Sequence, residues 1–377
     1  MEFTINRDTF LKSLSHAYGI IEKKTSLPIL SNILIEAKNS KIKITATDLD
    51  IVYSEEVQLN QLKNEGSTTT SASILYDILR KLEANSEVEL SLQNINKLKL
   101  TSGNSKFNLL CISPDDFPLT EEDNNEKVFE VSSQKLLKLL NKAKISISND
   151  ETRHYLNGIY LHKTNLENKS YLSGVATDSH RLSFSSLEIE ENVEFHPIIL
   201  PKKTIFQLIS LLEGNTSSVK ISNTKSKIKF QTNDGILTSK VIDGRFPDYS
   251  KVVPKDNNKI LEIKLNNFKN SIERVTTVSS DRKEGLKMVI SKDLLQFIVN
   301  NPNSGEGIEN INAKFNSDSM NISFNSRYLI DIASQIENEL IIINLKDPGS
   351  PVLIKDLSDK HSFYVVMPMK VWFIAYK

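Results

Sequence analysis

The sequence predicts an α+β protein made of three similar domains, each with two helices packed on antiparallel sheets. One pattern carries this prediction, because a short strand, a polar capping residue and an amphipathic helix occur together three times in the 377 residues. Apolar and polar residues alternate after each of these helices, as they do in half-buried strands. A second helix and further strands then complete each repeat of about 125 residues.

The first half of each repeat opens with a strand and a helix. Asn6, Ser132 and Asn266 stand at the turn between them, and all three residue types are favoured N-caps. Apolar residues then recur at helical spacing, as at Leu136 and Leu140. The three segments are "FTINRDTFLKSLSHAYGII" from Phe3, "FEVSSQKLLKLLNKAKISI" from Phe129 and "LEIKLNNFKNSIERVTTV" from Leu261.

The second half of each repeat has the same order of helix and strands. The predicted helices are "SASILYDILRKLE", "PKKTIFQLISLLE" and "NSRYLIDIASQIE", and Pro201 suits the first turn of the second one. Polar and charged segments at Thr120–Lys127 and Val252–Lys259 are typical of linkers. We therefore expect domains at residues 1–126, 127–254 and 255–377.

Charge balance and cysteine content limit the class of protein. Lys and Arg together number 47, as do Asp and Glu, so no net basic charge indicates a nucleic-acid partner. Local clusters of basic residues can still attract phosphates. The single Cys111 excludes an intramolecular disulfide and suits a buried thiol in a reducing compartment. The first residues, "MEFTINRDTF", lack the apolar region of a signal peptide, so we expect a cytoplasmic protein.

Motifs for nucleotides, cofactors and metals do not occur in the sequence. It contains no G-x-x-x-x-G-K-[ST] loop and no G-x-G-x-x-G after a predicted strand. None of the six histidines forms an H-E-x-x-H pair, and one cysteine cannot complete a thiolate site. The sequence therefore predicts no cofactor and no metal.

The stretch "VATDSHRLSF" contains the three residue types of a serine-hydrolase triad, as Asp178, Ser179 and His180. Neighbours on a strand point to opposite faces, so their side chains rarely converge as a triad requires. Asp48 and Asn301 occupy the equivalent position in the other repeats, which favours a strand-end turn over catalysis. A function peculiar to the second repeat is then expected in His180, Arg181 and Leu182.

Seven short motifs, in order, resemble the β subunit of bacterial DNA polymerase III, the sliding clamp. The resemblance covers almost the whole chain, and it implies a ring of two head-to-tail protomers with six similar domains. In that family, helices line the hole, duplex DNA threads it, and the protein has no enzymatic activity. The motifs are "SLPILSN" (26–32), "TATDLD" (45–50), "DFP" (116–118), "YLNG" (155–158), "ATDSHRL" (176–182), "DGRFPDY" (243–249) and "YVVMPM" (364–369).

Basic residues on the predicted helices suit a ring that slides on DNA, since phosphates are contacted without reading bases. The segment Ser132–Lys144 carries four lysines and no acid. Position by position, the resemblance adds Lys24 and Arg153 as DNA contacts at the rim of the ring. Asp150 stands nearby, where the family often has a neutral residue. The DNA contacts expected from these two arguments are Lys24, Arg80, Lys81, Lys138, Lys142, Arg153, His154, Tyr155, Lys202 and Lys203.

The resemblance also implies a groove between the second and third domains that binds short linear motifs. Its partners would be DNA polymerase III, other polymerases, the clamp loader and repair proteins. Ser179 replaces a glycine common in the family, and Lys283 stands where some members have an aromatic residue. The matching groove residues are Leu156, Thr177, Ser179, His180, Arg181, Leu182, Pro247, Asn325, Tyr328, Val352, Val365, Val366, Met367, Pro368 and Met369.

Ring closure in the family joins the first domain of one protomer to the third domain of the other. The matching positions are Phe107 and Leu109 on one side and Thr277 and Val278 on the other. The tail at residues 372–377 extends past the usual end of the family, and either coverage of the groove or a disordered extension is open to it.

The sequence thus predicts a homodimeric DNA polymerase processivity factor without catalysis of its own. Two alternatives stay open: a repeat-built protein-interaction module that does not bind DNA, and a hydrolase that uses Asp178, Ser179 and His180.

Overall fold

The computed structural model describes residues 1–22, 25–119, 127–214, 217–279 and 285–369. Lys24, Lys283 and the tail at 372–377 lie outside these residues. Contacts divide the chain into two compact units, one of Met1–Leu137 with Asn192–Val241 and one of Lys138–Glu191 with Ile242–Lys377. This division differs from the three expected domains, which remain visible as a repeated order of helices and strands.

Six α-helices occur within the described residues, two for each repeat. No helix there is long and apolar enough to cross a membrane. Their bounds are α1 Arg7–Tyr18, α2 Ala72–Lys81, α3 Ser133–Lys144, α4 Lys202–Leu212, α5 Leu265–Val275 and α6 Ser326–Ala333.

The helix starts confirm one of the predicted caps and correct another. The Asn6 side chain accepts hydrogen bonds from the backbone N–H groups of Asp8 and Thr9, so it caps α1. The prediction for Asn266 is wrong, because α5 already begins at Leu265 and is preceded by Lys264 without a side-chain cap. The prediction for Pro201 misses by one residue, since Pro201 is extended and directly precedes α4.

Strands follow each helix as predicted, and the described strand pairs within each unit are antiparallel. The first thirteen are β1 Glu2–Asn6, β2 Asn32–Lys38, β3 Lys41–Thr47, β4 Ile51–Gln58, β5 Gln61–Asn64, β6 Gly66–Ser71, β7 Glu87–Asn94, β8 Lys97–Ser102, β9 Ser105–Ile112, β10 Phe129–Ser132, β11 Gly158–Leu166, β12 Lys169–Thr177 and β13 Arg181–Ile189. The others are β14 Ile198–Pro201, β15 Ser218–Asn223, β16 Lys227–Gln231, β17 Ile236–Lys240, β18 Lys259–Lys264, β19 Gly285–Ile290, β20 Leu294–Asn301, β21 Gly305–Phe315, β22 Met320–Asn325, β23 Leu340–Leu345, β24 Val352–Asp356 and β25 Asp359–Val366.

Each unit contains one long sheet in which strands of different repeats pair edge to edge. In the first unit the order is β10-β15-β16-β17-β4-β3-β2-β6-β9-β8-β7-β1-β5, and β17 of the second repeat pairs with β4 of the first. In the second unit the strands run β11-β12-β13-β25-β24-β23-β18-β21-β20-β19-β22. There β25 of the third repeat pairs with β13 of the second, so the two junctions are built alike.

Apolar faces of the helices cover the sheets and form the core. In α1 the residues Phe10, Leu14 and Ala17 recur at helical spacing and are fully buried. In α5 Phe268 is also fully buried and meets Phe297 of β20 edge-on, with ring centroids 5.7 Å apart. Burial of such side chains stabilises the fold by about 1.5–3 kcal/mol each.

One turn recurs in all three repeats, as predicted. The Asp48 carboxylate accepts the backbone N–H groups of Asp50 and Ile51, at 3.0 and 2.7 Å. The Asp178 carboxylate accepts those of His180 and Arg181, at 3.0 and 2.9 Å.

In the third repeat the Asn301 side-chain oxygen accepts the N–H groups of Asn303 and Ser304, at 2.8 and 3.0 Å. Asp or Asn at this position therefore closes the hairpin by bonding the backbone.

Candidate functional site

The hydrogen bonds around Asp178, Ser179 and His180 form a turn and not a triad. A triad needs the carboxylate on the histidine ring and the ring on the serine hydroxyl. Here one Asp178 oxygen bonds backbone N–H groups, and the other accepts from the Arg181 guanidinium at 3.1 Å. The Ser179 hydroxyl accepts a hydrogen bond of 2.6 Å from Arg153. The geometry therefore argues against the hydrolase alternative.

Ser179 has a backbone conformation that favours glycine. Its φ is +76°, and the equivalent residue of the first repeat, Leu49, has φ +79°. A side chain at positive φ is sterically costly, which explains why glycine suits this position. The serine hydroxyl bonds Arg153, and this contact links the turn to the segment that precedes β11.

Arg181 links the turn to α6 through its side-chain contacts. Its guanidinium bonds Asp178 and also Asp331, the latter at 2.7 Å, and it lies 4.2 Å from the centre of the Tyr328 ring. The arginine side chain is 10% exposed, so these contacts occupy most of its surface. Two carboxylates and an aromatic face compensate its charge in a partly buried place.

The end of β25 lies beside the turn, and the prediction places both segments in one wall of the groove. Leu182 pairs with Val365 in the strand ladder, and the Met367 N–H donates to the His180 carbonyl at 2.8 Å. The Met369 N–H donates to the Ser323 carbonyl at 2.7 Å, which continues the wall toward α6. The Asn325 side chain caps α6 by accepting from the Arg327 N–H.

The prediction also assigns Pro247 to the groove, and two contacts anchor the segment that contains it. Phe246 stacks on Tyr160 of β11, with centroids 4.9 Å apart and planes 6° apart. A Cβ atom added at Gly244 would lie 3.0 Å from the Tyr155 Cβ, so only glycine allows the backbone this close. Pro247 directly follows Phe246 and is exposed.

Burial divides the predicted groove residues into two classes. We use "groove rim" for the exposed ones, namely Ser179, His180, Pro247, Met367 and Met369, of which Met367 is 41% and Met369 38% exposed. Thr177, Arg181, Asn325, Tyr328 and Pro368 are half-buried. Leu156, Leu182, Val352, Val365 and Val366 are at most 3% exposed, so they pack beneath the rim.

The Asp150 carboxylate forms hydrogen bonds with residues of its own segment. It accepts hydrogen bonds from the Thr152 hydroxyl and N–H and from the Arg153 guanidinium, at 2.6, 3.0 and 2.8 Å. These bonds lower the pKa of the Asp150 carboxyl. The acid therefore neutralises Arg153, which also bonds Ser179.

The structure removes Lys142 from the predicted DNA contacts. Its side chain is 3% exposed, and its Nζ lies 2.7 Å from Asp359, 3.7 Å from Asp356 and 3.8 Å from Glu337. A buried lysine surrounded by carboxylates cannot meet a phosphate. The lysine run on α3 suggested an exposed basic face, whereas this position faces acids contributed by the third repeat.

The other predicted DNA contacts differ in how far their side chains are exposed. Lys203 is half-buried and bonds the Asp48 carboxylate, the Glu22 carboxylate at 2.9 Å and the Ile20 carbonyl at 2.9 Å. Lys138 is 41% exposed and pairs with Glu337 at 2.9 Å. Tyr155 is half-buried. The exposed members are Arg80, Lys81, His154 and Lys202.

The four predicted contact residues for ring closure lie on two short elements. Phe107 is half-buried and Leu109 is 6% exposed on β9, while the next residue, Leu110, is 84% exposed. Thr277 and Val278 belong to the 3-10 helix Thr276–Val278 that follows α5.

Three residues of these sites were missed by the sequence reading. Asp331 completes the pairing of Arg181, but one acid on an amphipathic helix carries no signal of its own. Leu110 stands out as an exposed apolar residue only once the strand faces are known. Gly307 lets β21 pack directly against Val275 and Val278, because a Cβ there would lie only 2.7 Å from the Val275 carbonyl oxygen.

Comparison with known proteins gives matches along almost the whole chain. Models of the DNA polymerase III beta subunit match in order: the N-terminal domain over residues 1–121, the central domain over 130–248 and the C-terminal domain over 250–370. The beta sliding clamp of Caulobacter vibrioides is 35% identical over 373 residues, which are 98% of this chain and 100% of that protein. The Escherichia coli clamp is 32% identical over 371 residues, with the same coverage.

A solved structure shows the same fold. The sliding clamp of Bartonella birtlesii, determined with griselimycin bound, is 37% identical and superimposes with a TM-score of 0.95. The match covers 98% of this chain and all of that one.

Replacing Lys142 tests the buried charge cluster. Lys142→Met should lower the free energy of unfolding by about 3–5 kcal/mol, because it removes the nearest cation from the buried Asp356 and Asp359, and Asp359 keeps only the 3.3 Å contact with Lys138. Lys138→Met on the same helix should cost less than about 1 kcal/mol, since that side chain is exposed. Urea denaturation at pH 7 measures both, and an equal destabilisation of the two variants would contradict the assignment.

The same cluster predicts a dependence of stability on pH. Burial alone would raise the pKa of Asp359, but the hydrogen bond and charge of Lys142 outweigh it and lower the pKa from 3.8 to about 2. A lowered folded-state pKa stabilises the protein above the unfolded value, and this contribution disappears as pH falls from about 4 to 2. Acid titration of Lys142→Met should show a smaller decline, because only the His361 N–H and the Lys138 charge then still lower the pKa of Asp359.

Proposed function

This chain belongs to the DNA polymerase III beta subunit family, and we propose that it is a sliding clamp that makes a DNA polymerase processive. The observation that carries the proposal is the match of all three domain models, in order, over residues 1–370. Two copies would close into a ring around duplex DNA in the cytoplasm and tether polymerase, clamp loader and repair proteins. The domains would span residues 1–126, 127–254 and 255–377, and the protein would have no catalysis of its own.

DNA would be held by diffuse contacts to phosphates. The exposed basic residues Arg80, Lys81 and Lys202 lie at the end of α2 and the start of α4. Contacts of this kind do not read sequence and weaken steeply as salt displaces them. Topological linkage, rather than affinity, would then keep the clamp on DNA.

Loading onto circular DNA tests the function directly. A clamp loader should place the protein on nicked circular DNA, and linearising the circle should release it. A protein that never becomes linked to the circle would contradict the proposal and support an interaction module without DNA.

Charge reversal tests the helix lysines. In Lys81→Glu/Lys202→Glu, binding to short primed duplex should weaken, and the slope of log affinity against log salt should fall by about one for each phosphate that the variant no longer neutralises. The matched control is Lys97→Glu/Lys227→Glu, which changes two exposed strand lysines by the same charge. Fluorescence anisotropy over a salt series measures both, and equal effects would argue against a helix-lined DNA path.

The groove rim would bind linear motifs that carry Leu or Phe anchors. Met367 and Met369 offer flexible apolar surface that adapts to different side chains, and the exposed Pro247 would add rigid apolar surface. His180 supplies an exposed polar group, whereas Arg181 is already occupied by Asp178 and Asp331. We therefore assign Arg181 a positioning role in the groove.

Truncation of one rim methionine tests this site. Met367→Ala should raise the Kd for a peptide with paired Leu and Phe anchors about tenfold, since burial of such a side chain is worth roughly 1.5 kcal/mol. Leu357→Ala is the matched control, because Leu357 is 57% exposed in the β24–β25 turn. Equal affinities of Met367→Ala and the control would place the peptide elsewhere.

A homodimer is supported by two strand edges, one in the first repeat and one in the third, that the two junctions within the chain do not use. The pairs β4·β17 and β13·β25 each join the third strand after one repeat's first helix to the last strand of the next repeat. The remaining equivalents are β21 of the third repeat and β9 of the first. Among the described residues, β9 pairs with β6 only at Cys111–Ile112, and β21 pairs with β18 only at Ala313–Phe315.

The registers of the two internal junctions predict which residues would lie opposite each other. At the first junction Leu237 lies opposite Tyr53, and at the second Tyr364 lies opposite Ser183. In the first repeat Tyr53 comes one residue after the hairpin pair Thr47↔Val52, and in the third repeat Gly307 comes one residue after the pair Asn300↔Glu306. Gly307 is therefore equivalent to Tyr53. Phe107 of one copy would then lie opposite Gly307 of the other, on the face where Val275 and Val278 pack.

The oligomeric state tests the interface. Phe107→Arg should give a monomeric mass by light scattering at micromolar concentration, because a charge would replace the apolar side chain at the centre of the interface. Ile95→Arg, at a 62% exposed position of the β7–β8 turn, should leave the dimer intact. A monomeric wild-type protein would contradict the proposed ring.

A further inference from the structure

A lysine–aspartate contact recurs at the two junctions within the chain. At the first, the Lys12 Nζ lies 2.8 Å from the Asp234 carboxylate. At the second, the Lys138 Nζ lies 3.3 Å from the Asp359 carboxylate. Each lysine comes from the first helix of one repeat, and each aspartate from the last hairpin of the next. The helix position is equivalent, since Lys12 follows the buried Phe10 by two residues and Lys138 follows the buried Leu136 by two.

The third repeat has an asparagine at this helix position. Asn270 follows the fully buried Phe268 by two residues and is exposed. A second contact fixes the alignment of the helices: the Arg274 guanidinium bonds Glu309 of β21 at 3.2 Å.

The first repeat has the equivalent contact. His16 lies 3.5 Å from Glu55 of β4, and both His16 and Arg274 stand six residues after the buried phenylalanine. Asn270 therefore occupies the place of Lys12.

The last hairpin of the first repeat also has an asparagine where the second has Asp234. Leu100 pairs with Phe107 in the β8–β9 hairpin, and Phe230 pairs with Leu237 in the β16–β17 hairpin. The two hairpins thus enclose the same number of residues. Asp234 stands three residues before Leu237, and Asn104, which is exposed, stands three residues before Phe107.

We propose that Asn270 of one copy and Asn104 of a second copy form an amide–amide contact in place of the lysine–aspartate pair. The inference rests on the proposed dimer and names a pair of residues within it. Asparagine replaces both the lysine and the aspartate of the internal junctions, so neither residue of the pair places a charge opposite a neutral side chain. Asparagine side chains can donate and accept at once, which suits a reciprocal contact.

The contact distinguishes the junction between copies from the two internal junctions. An ion pair between exposed groups weakens as salt rises, whereas an amide pair does not depend on charge. The contribution of this contact to the association of two copies should therefore not depend on salt. A lysine and an aspartate introduced at the two positions should form the ion pair of the internal junctions.

A double-mutant cycle tests the pair. Asn104→Asp/Asn270→Lys installs the internal ion pair, while each single variant places one charge opposite an amide. We expect each single variant to weaken dimerisation about 2–5-fold and the double variant to restore or exceed wild-type affinity at 50 mM salt, an advantage that disappears at 0.5 M. Sedimentation velocity over a dilution series measures the dimer Kd.

Two further variants make the test specific. Asn104→Lys/Asn270→Asp reverses the polarity and should also restore association, since the contact depends on proximity. Asn96→Asp/Asn270→Lys moves the acid to an exposed asparagine at the other end of β8 and should show no coupling. Additive effects at 104 and 270 in an intact dimer would overturn the pair, whereas a monomeric wild type would overturn the proposed ring itself.

Discussion

Unpaired strand edges are the constraint on which the organisation of this protein depends. The backbone N–H and C=O groups of an edge strand need partners, and an exposed edge accepts another strand. β4 and β13 meet this requirement by pairing with the last strand of the following repeat. The pairing of β13 with β25 also carries Met367 to His180, so the groove rim is a product of the same requirement.

The repeated turn shows how one local structure serves different purposes. Asp48 and Asp178 each use one carboxylate oxygen to close a hairpin, and the other oxygen binds a cation. For Asp48 the cation is Lys203 of the next repeat, which also holds Glu22 and a backbone carbonyl. For Asp178 it is Arg181 of the same turn, which leaves Ser179 and His180 exposed beside an apolar wall.

Several features were accessible to sequence reasoning because they are local. Asp or Asn in a hairpin bonds nearby backbone whatever surrounds it, so its recurrence in three repeats predicted the turn correctly. The cap at Asn6 is local in the same way, whereas Asn266 failed because α5 starts one residue earlier. Lys142 was misassigned for a different reason: its carboxylate partners are contributed by residues about 200 positions later in the chain.

The sequence by itself determined the class of fold, the threefold repeat and the family, since alternation, capping and motif order are written along the chain. Tertiary structure alone decided which groups are available. Leu156 and Val365 look like groove-lining residues in the sequence but are buried, while Met367 and Met369 are exposed. Arg181 looks like a free cation but is bound by two acids and an aromatic ring. The reason is that burial and ion pairing depend on residues far apart in the chain, which only the packing of strands and helices brings together.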